Sequence, residues 1–160
     1  MKKRGFTLAE ILVALGVVGV VSALSLPTFV SNTSSKAHKS TIEVSKNSIE
    51  NAIGTVFAQD AANTIGESTL GDAGTTADFV STLNEYLKSG STTYNPLSGG
   101  QAIQLKNGSV ASFNLTNSGA EYNQIAGTVV IDSNGISAPN SNNIDIYTFN
   151  LMGNGNLEKQ

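Results

Sequence analysis

The feature that most constrains this chain is a single long apolar run close to its N-terminus. From residue 6 to residue 30 the only ionisable side chain is that of Glu10. As a helix this run would be about 37 Å long at 1.5 Å per residue, against a bilayer hydrocarbon core of about 30 Å. The run is long enough to cross a membrane. The carboxylate of Glu10 within it then needs a reason, because charge inside a membrane span is costly.

The residues that flank the run give its orientation and also an alternative interpretation. Basic residues at positions 2–4 precede the run without any acid, which favours a cytoplasmic N-terminus. Lys36, His38 and Lys39 lie beyond its far end and weaken that asymmetry. A secretory signal peptide also has a basic start and an apolar centre, although the cleavage site near residues 23–25 is poor and the run is longer than usual. Composition and flanks therefore leave both a membrane anchor and a signal peptide open.

The residues around Gly5 carry a more specific signal. Residues 2–10, KKRGFTLAE, resemble the leader junction of type IV prepilins and of the pseudopilins of type II secretion systems. The resemblance implies that a prepilin peptidase cleaves after Gly5 and then methylates the new first residue, Phe6. It assigns the family's assembly glutamate to Glu10, and it places Gly19 and Pro27 where helix-loosening residues often occur. It covers residues 1–59 well and the remainder only as a general plan.

The chemistry of Glu10 agrees with that resemblance. Cleavage would leave a positively charged amine on Phe6, and Glu10 follows it by one helical turn on the same face. In a staggered stack of subunits, the carboxylate of one copy can meet the amine of its neighbour, which favours the assembled state. The alternative is a glutamate at the interfacial end of a span, which water at the membrane surface would tolerate.

Small residues and a proline within the run predict close helix packing and a bend. Gly16 and Gly19 are three residues apart and lie close together on one helix face, which allows another helix to approach. Pro27 removes a backbone hydrogen bond and predicts a kink. The resemblance adds that the segment between Gly19 and Pro27 loosens during assembly.

The rest of the chain predicts an α+β architecture. Beyond the apolar run, Ile42, Ile49, Ile53 and Val56 recur at helical spacing, which predicts an amphipathic half-helix over about residues 40–59. We expect one helix from about residue 6 to about residue 59, bent near Pro27 and packed on a small antiparallel sheet. The predicted organisation is a leader over residues 1–5, a transmembrane and assembly segment over 6–30, and a globular head over 31–160.

The head itself shows one helix signal and four strand signals. Thr75 or Thr76 can cap a helix whose buried face lies at positions 79–87, with Gly90 as its stop. Strand patterns cover residues 102–106, 109–115, 128–132 and 144–151. Asn107 and Gly108 between the first two strands predict a hairpin with a type I′ turn.

A polar segment late in the head has oxygen-bearing side chains at alternate positions. Asp132 and Asn134, followed by Asp145, are hard oxygen ligands of the kind that Ca²⁺ prefers. The resemblance implies the same, because major pseudopilins often hold Ca²⁺ in a C-terminal loop. The alternative is a plain turn built from Asn, Asp and Gly. The incomplete ligand set favours the plain turn, so no cofactor is required and Ca²⁺ is an optional ligand.

Composition argues against several other functions. The chain has no cysteine and a net charge of −3, which becomes −6 once the three basic residues of the leader are removed. A strongly basic surface for nucleic acid is therefore not indicated. His38 is the only histidine, and we expect it to be an ordinary exposed residue. Without a catalytic or phosphate-binding motif, the sequence predicts that the chain is not an enzyme.

The sequence thus predicts a structural subunit of a type IV pilus-like or type II secretion pseudopilus filament. Its expected partners are prepilin peptidase, an inner-membrane assembly platform, other pilin-like subunits and further copies of itself. We expect it in the bacterial inner membrane with its N-terminus in the cytoplasm, and later in a periplasmic or extracellular filament. The alternative is a membrane-anchored or secreted binding module with a conventional signal or anchor sequence.

Overall fold

The computed structural model of the protein describes residues 5–160, apart from the side chains of residues 27, 28, 31 and 32. The basic part of the predicted leader, residues 1–4, lies outside this range, as does the side chain of Pro27 on which the predicted bend depends. The chain forms two compact units, one ending at Lys36 and the other comprising Ala37–Gln160. The first consists of helix and the few residues before it.

Helix α1 runs from Leu8 to Asp60 and agrees closely with the predicted helix. Its end is set by Ala61, which adopts a left-handed backbone conformation with φ of 53°. The amide of Ala62 then donates to the carbonyl of Phe57 at 3.0 Å. This six-residue closure satisfies a carbonyl that the last helical turn would otherwise leave without a partner.

The part of α1 that belongs to the head buries one face, as its spacing predicts. Ile49, Ile53 and Val56 are completely buried, and Ile42 is almost so. Beside this face, Lys46 pairs with Glu50 at 3.7 Å, one turn apart. The amphipathic half-helix therefore carries one side of the hydrophobic core of the head, and burial of each such side chain is worth about 1.5–3 kcal/mol.

The sheet is antiparallel and follows the chain order without a crossover. Its strands are β1 (Gly90–Ser91), β2 (Gln101–Gln104), β3 (Val110–Leu115), β4 (Ile125–Asp132), β5 (Ile146–Met152) and β6 (Leu157–Lys159). Sequence predicted about four strands, and this was wrong by two. The two edge strands contain only two and three residues, so they carry no alternating pattern and exist through pairing with β2 and β5.

Three short helical segments connect α1 to the sheet. They are a 3₁₀ turn (Ile65–Glu67), helix α2 (Thr69–Asp72) and helix α3 (Thr76–Leu87). Thr75 caps α3 by accepting a hydrogen bond from the amide of Asp78, as predicted. The helix ends before the predicted stop at Gly90, because Lys88 takes the left-handed conformation. Phe79 of α3 packs against Phe113 of β3, with ring centroids 6.0 Å apart.

The β2–β3 turn corrects the prediction of a type I′ hairpin. A type I′ turn needs positive φ at both central residues. Here Gly108 alone within the turn has positive φ, at 88°, and its amide donates to the carbonyl of Leu105. Asn107 keeps negative φ and uses its side-chain oxygen to accept the amide of Ser109. Because Asn107 also donates to Ser45 on α1 at 2.9 Å, contact with the helix fixes the turn.

Candidate functional site

The predicted cleavage junction lies just before α1, in residues without regular secondary structure. Gly5, Phe6 and Thr7 precede the first helical residue, and all three are exposed. A Cβ added to Gly5 would meet no atom within 4 Å. The described residues therefore place no steric demand for glycine at this position. Any such demand must come from a protein that binds the junction.

Glu10 forms a reciprocal cap with Thr7 at the start of α1. Its Oε2 accepts the amide of Thr7 at 2.7 Å and the hydroxyl of Thr7 at 2.9 Å. In return the amide of Glu10 donates to the hydroxyl oxygen of Thr7 at 3.3 Å. This is a capping box, which satisfies donors that a helix N-terminus leaves unpaired. A carboxylate at this end is also stabilised by the helix dipole.

The first part of α1 makes no core with the rest of the chain. One segment, Leu8–Leu26, is long and apolar enough to cross a membrane, and none of it is buried. Phe6 is 85% exposed and Leu8 is 77% exposed. A row of apolar side chains of this length requires lipid or a neighbouring protein to cover it, because soluble proteins rarely leave such a patch in water.

The glycines of this segment leave room for a neighbour. A Cβ added at Gly16 or at Gly19 would meet nothing within 4 Å, so no contact within the chain requires either glycine. Beside Phe6 and Glu10, the side chains of Ile11, Leu15 and Val18 line a shallow groove of about 380 Å³. The exposed face is thus free to pack against another helix. The roles predicted for Gly19 and Pro27 in assembly stay predictions.

The N-terminal residues also match a known family. Residues 1–26 match the family model described as the prokaryotic N-terminal methylation motif.

The chain carries the prepilin-type motif of type IV pilins and pseudopilins.

No curated protein and no solved structure gives a match to the chain. The long helix with its antiparallel sheet is consistent with a pilin-like fold. The motif supports a pilin-like precursor that an apolar helix can anchor in the inner membrane. Cleavage at Gly5, methylation of Phe6 and the assembly role of Glu10 stay predictions.

The second predicted site, in the loop after β4, brings its three residues into one neighbourhood. Asp132 and Asp145 are completely buried. Asp132 accepts the hydroxyl of Tyr94 at 2.8 Å and the amide of Asn134 at 3.1 Å. Asp145 accepts the amides of Asn140 and Ser141, both at 2.7 Å. Through these hydrogen bonds Asp145 stabilises the loop whether or not a cation binds.

The surroundings of Asp132 disfavour its charged form. Burial raises the pKa of Asp132, and the neighbouring Asp145 adds to that effect. Burial also raises the pKa of Tyr94 to about 12, with its hydrogen bond to Asp132 as the second cause. The side-chain oxygen of Asn134 is buried without a hydrogen-bond partner. An oxygen-seeking cation would satisfy that atom and neutralise the carboxylates.

The ligand set nevertheless stays small. Among the described residues, no group of three or more His, Cys, Asp and Glu side chains could hold a metal. The two carboxylates and one amide oxygen fit the chemistry of Ca²⁺ but supply fewer than the six to eight oxygens it takes. Backbone carbonyls or water would have to complete the shell.

His38 lies where sequence reasoning did not expect it. It is half-buried, and its Nδ1 lies 2.7 Å from the hydroxyl oxygen of Ser133. The expectation of an ordinary exposed histidine was therefore wrong, because the loop after β4 folds back onto α1 at this point. The 95 positions between the two residues left no local signal for this contact. The pairing of Tyr94 with Asp132 was missed for the same reason.

Proposed function

We propose that this protein is a structural subunit of a filament of the type IV pilus or type II secretion pseudopilus kind. In this proposal prepilin peptidase removes residues 1–5 and methylates Phe6. The mature subunit waits in the inner membrane with its N-terminus in the cytoplasm. An inner-membrane assembly platform then moves it into a periplasmic or extracellular filament with other pilin-like subunits and copies of itself.

The observation that carries the proposal is the uncovered apolar helix that begins at the motif. None of the described residues buries Leu8–Leu26, while the head has a core of its own. A helix of this kind can exchange lipid for neighbouring helices, since both are apolar surroundings. Glu10 is the one carboxylate in it, and a neighbour's Phe6 amine is its natural partner in a staggered stack.

The capping box at the start of α1 is compatible with pairing between copies. In the free subunit the capping box holds the carboxylate of Glu10 at the helix end, where the dipole favours negative charge. Thr7 uses its amide and hydroxyl for that cap, and neither group is removed by cleavage after Gly5. The amine of a second copy can therefore approach Glu10 without disrupting the cap of the helix that contains this glutamate.

The alternative is a membrane-anchored or secreted binding module that uses a conventional signal or anchor sequence. The two proposals differ in the mature N-terminus. The experiment is intact-mass and peptide mass spectrometry of the protein from its native cells. A methylated Phe6 start supports the filament subunit. An intact Met1, or a start near Leu26, would instead establish the binding module.

We also propose Ca²⁺ as an optional ligand of the loop after β4. The supporting observation is the buried, unpartnered oxygen of Asn134 beside the buried carboxylates of Asp132 and Asp145. These three residues would hold the ion, which would neutralise the carboxylates and fix the loop against α1. The filament proposal does not depend on this ligand.

A further inference from the structure

The head carries two surfaces of opposite character, which we call the lysine groove and the tyrosine loop. The lysine groove, of about 510 Å³, lies between α1 and strands β5 and β6. Its floor is apolar, and its rim carries Lys39, Lys46, Lys159 and one acid, Glu43. Three lysines at the rim, against Glu43 and the Glu50 that pairs with Lys46, leave a local net charge of +1. This contrasts with the −6 of the mature chain.

Two of the three cations at the rim make contacts that position them. The ammonium of Lys159 lies over the ring of Tyr147, 4.8 Å from its centroid. Lys46 pairs with Glu50. Lys39 is exposed at the rim. The groove therefore presents a positive rim around an apolar floor, which fits an aromatic or aliphatic anchor with carboxylates beside it.

The tyrosine loop, which contains Glu121 and Tyr122, offers an aromatic anchor beside a carboxylate. Tyr122 is 57% exposed, a large fraction for an aromatic side chain. Glu121 precedes it, and both share a concave surface with the exposed Glu67. No lysine or arginine is among the described residues that line this surface. Tyrosine is enriched at protein interfaces because its ring supplies apolar contact and its hydroxyl stays polar.

The loop is held rigidly at the far end of the head. The carbonyl of Tyr122 accepts the amide of Asn154 at 3.2 Å, and the amide of Gly66 donates to the carbonyl of Ala120 at 3.2 Å. A Cβ at Gly153 would lie 2.0 Å from the carbonyl oxygen of Glu121, so the backbones are in direct contact. These contacts hold the backbone of the loop in place.

The two surfaces lie near opposite ends of β5. The groove contains Tyr147, the second residue of this strand, whereas the loop contacts Gly153, which follows the last residue of the strand, Met152. At about 3.3 Å per residue, a strand advances about 20 Å between these residues. Surfaces that are complementary, different and axially displaced produce a heterologous contact, which repeats as an open filament instead of closing as a dimer.

We infer that the tyrosine loop of one copy docks in the lysine groove of a second copy of this chain. This rests on the proposed filament function and names the head surfaces that meet in it. The net charge of −6 makes copies repel one another in most orientations, and this orientation brings opposite charges together. Tyr122 enters the groove, and Glu121 and Glu67 face the rim lysines.

Cysteine cross-linking of the full chain in its native cells tests this contact. The chain has no cysteine, so every thiol is an introduced one. The substitutions Glu43→Cys at the rim and Asn123→Cys in the loop leave all three rim lysines unchanged. They also leave Glu121 and Tyr122 of the loop unchanged. The doubly substituted chain should give a ladder of disulfide-linked multimers in sheared filaments after mild oxidation. Each single variant should remain monomeric.

Two controls make the result specific. Asn123→Cys combined with Ser81→Cys, which is exposed on α3, should give no ladder. In the Glu43→Cys and Asn123→Cys chain, Glu121→Lys should weaken the ladder and Lys39→Glu added to it should restore it. Restoration supports opposed charges across the contact and distinguishes it from mere proximity.

The outcomes separate this inference from the filament proposal. Cleaved subunits that form filaments without a ladder overturn the docking inference and leave the proposed function in place. Dimers from the Asn123→Cys variant alone would overturn it as well, because they indicate a symmetric contact between loops. Failure of the wild-type chain to form any filament overturns both.

Discussion

Replacing Glu10 by glutamine separates two roles that the structure allows this side chain to play. Glutamine keeps an acceptor oxygen of similar reach, so it preserves the capping box with Thr7. It carries no charge, so it cannot pair with the amine of a neighbouring Phe6. If charge pairing drives assembly, Glu10→Gln should be cleaved normally and stay in the membrane without entering filaments.

The expected magnitudes differ enough to decide between the roles. Loss of a helix cap costs about 0.5–2 kcal/mol, which is about a 2- to 30-fold change in an equilibrium. Removing one partner of a buried ion pair leaves the other charge unpaired, and this changes an equilibrium by about 10²-fold or more. Glu10→Gln keeps the cap and loses the pair. Thr7→Val loses the hydroxyl of the cap and keeps the pair.

The assay is the fraction of cleaved subunit recovered in sheared filaments relative to the membrane. We expect this fraction to decrease by about two orders of magnitude or more in both Glu10→Gln and Glu10→Leu, in keeping with an unpaired buried charge. In Thr7→Val the fraction should decrease only modestly. A glutamine variant that assembles like wild type, beside a leucine variant that does not, would show that Glu10 acts as a helix cap and refute charge pairing.

Three further predictions concern processing, metal binding and alkaline stability. Gly5→Leu should leave the leader attached, because the folded chain tolerates a Cβ there and the protease must fit the backbone before Phe6; a methylated Phe6 start in this variant would contradict that reasoning. If the loop after β4 binds Ca²⁺, the purified chain in detergent should gain about 2.7 kcal/mol when Ca²⁺ is a hundredfold above its Kd. Its melting temperature should rise, and Asp132→Asn should abolish the rise; equal melting in Ca²⁺ and chelator would favour the plain turn. The pKa of Tyr94 is about 12 in the folded chain against 10.0 for the free side chain, so the stability it contributes is complete below pH 10 and is lost as the pH rises through 12. Tyr94→Phe should therefore be less stable at pH 8 and flatten the fall in unfolding free energy between pH 10 and 12; an unchanged profile would exclude Tyr94 as its source.

Local sequence was enough to predict the N-terminal half of this protein. The apolar run, the position of Glu10 and the helical spacing of Ile42, Ile49 and Ile53 are patterns within a few turns of one helix, where neighbours in sequence are neighbours in space. The capping box was readable too, because a Thr followed three residues later by Glu is its signature, although only the structure drew attention to it.

Strand pairing and turn geometry depended on tertiary contacts. The edge strands are too short to carry a pattern, so their pairing with β2 and β5 decides that they exist. The turn at Asn107 looks like type I′ from its two central residues alone. In the folded chain Asn107 keeps negative φ, which a type I′ turn does not allow, and its side chain donates to Ser45 on α1. The two residues are 62 positions apart, so the local sequence around the turn does not reveal this contact.

The same reason explains what sequence could predict about the candidate sites. The motif around Gly5 and Phe6 is a continuous stretch, residues 2–10, so it can be recognised from the sequence alone. The groove at Lys39 and Lys159, and the contact of His38 with the loop after β4, join positions about a hundred residues apart. Sequence determined which residues begin the helix and which form its long apolar segment, because those properties are local. Only the folded head decided which distant charges share a surface, because packing of the sheet on α1 brings them together.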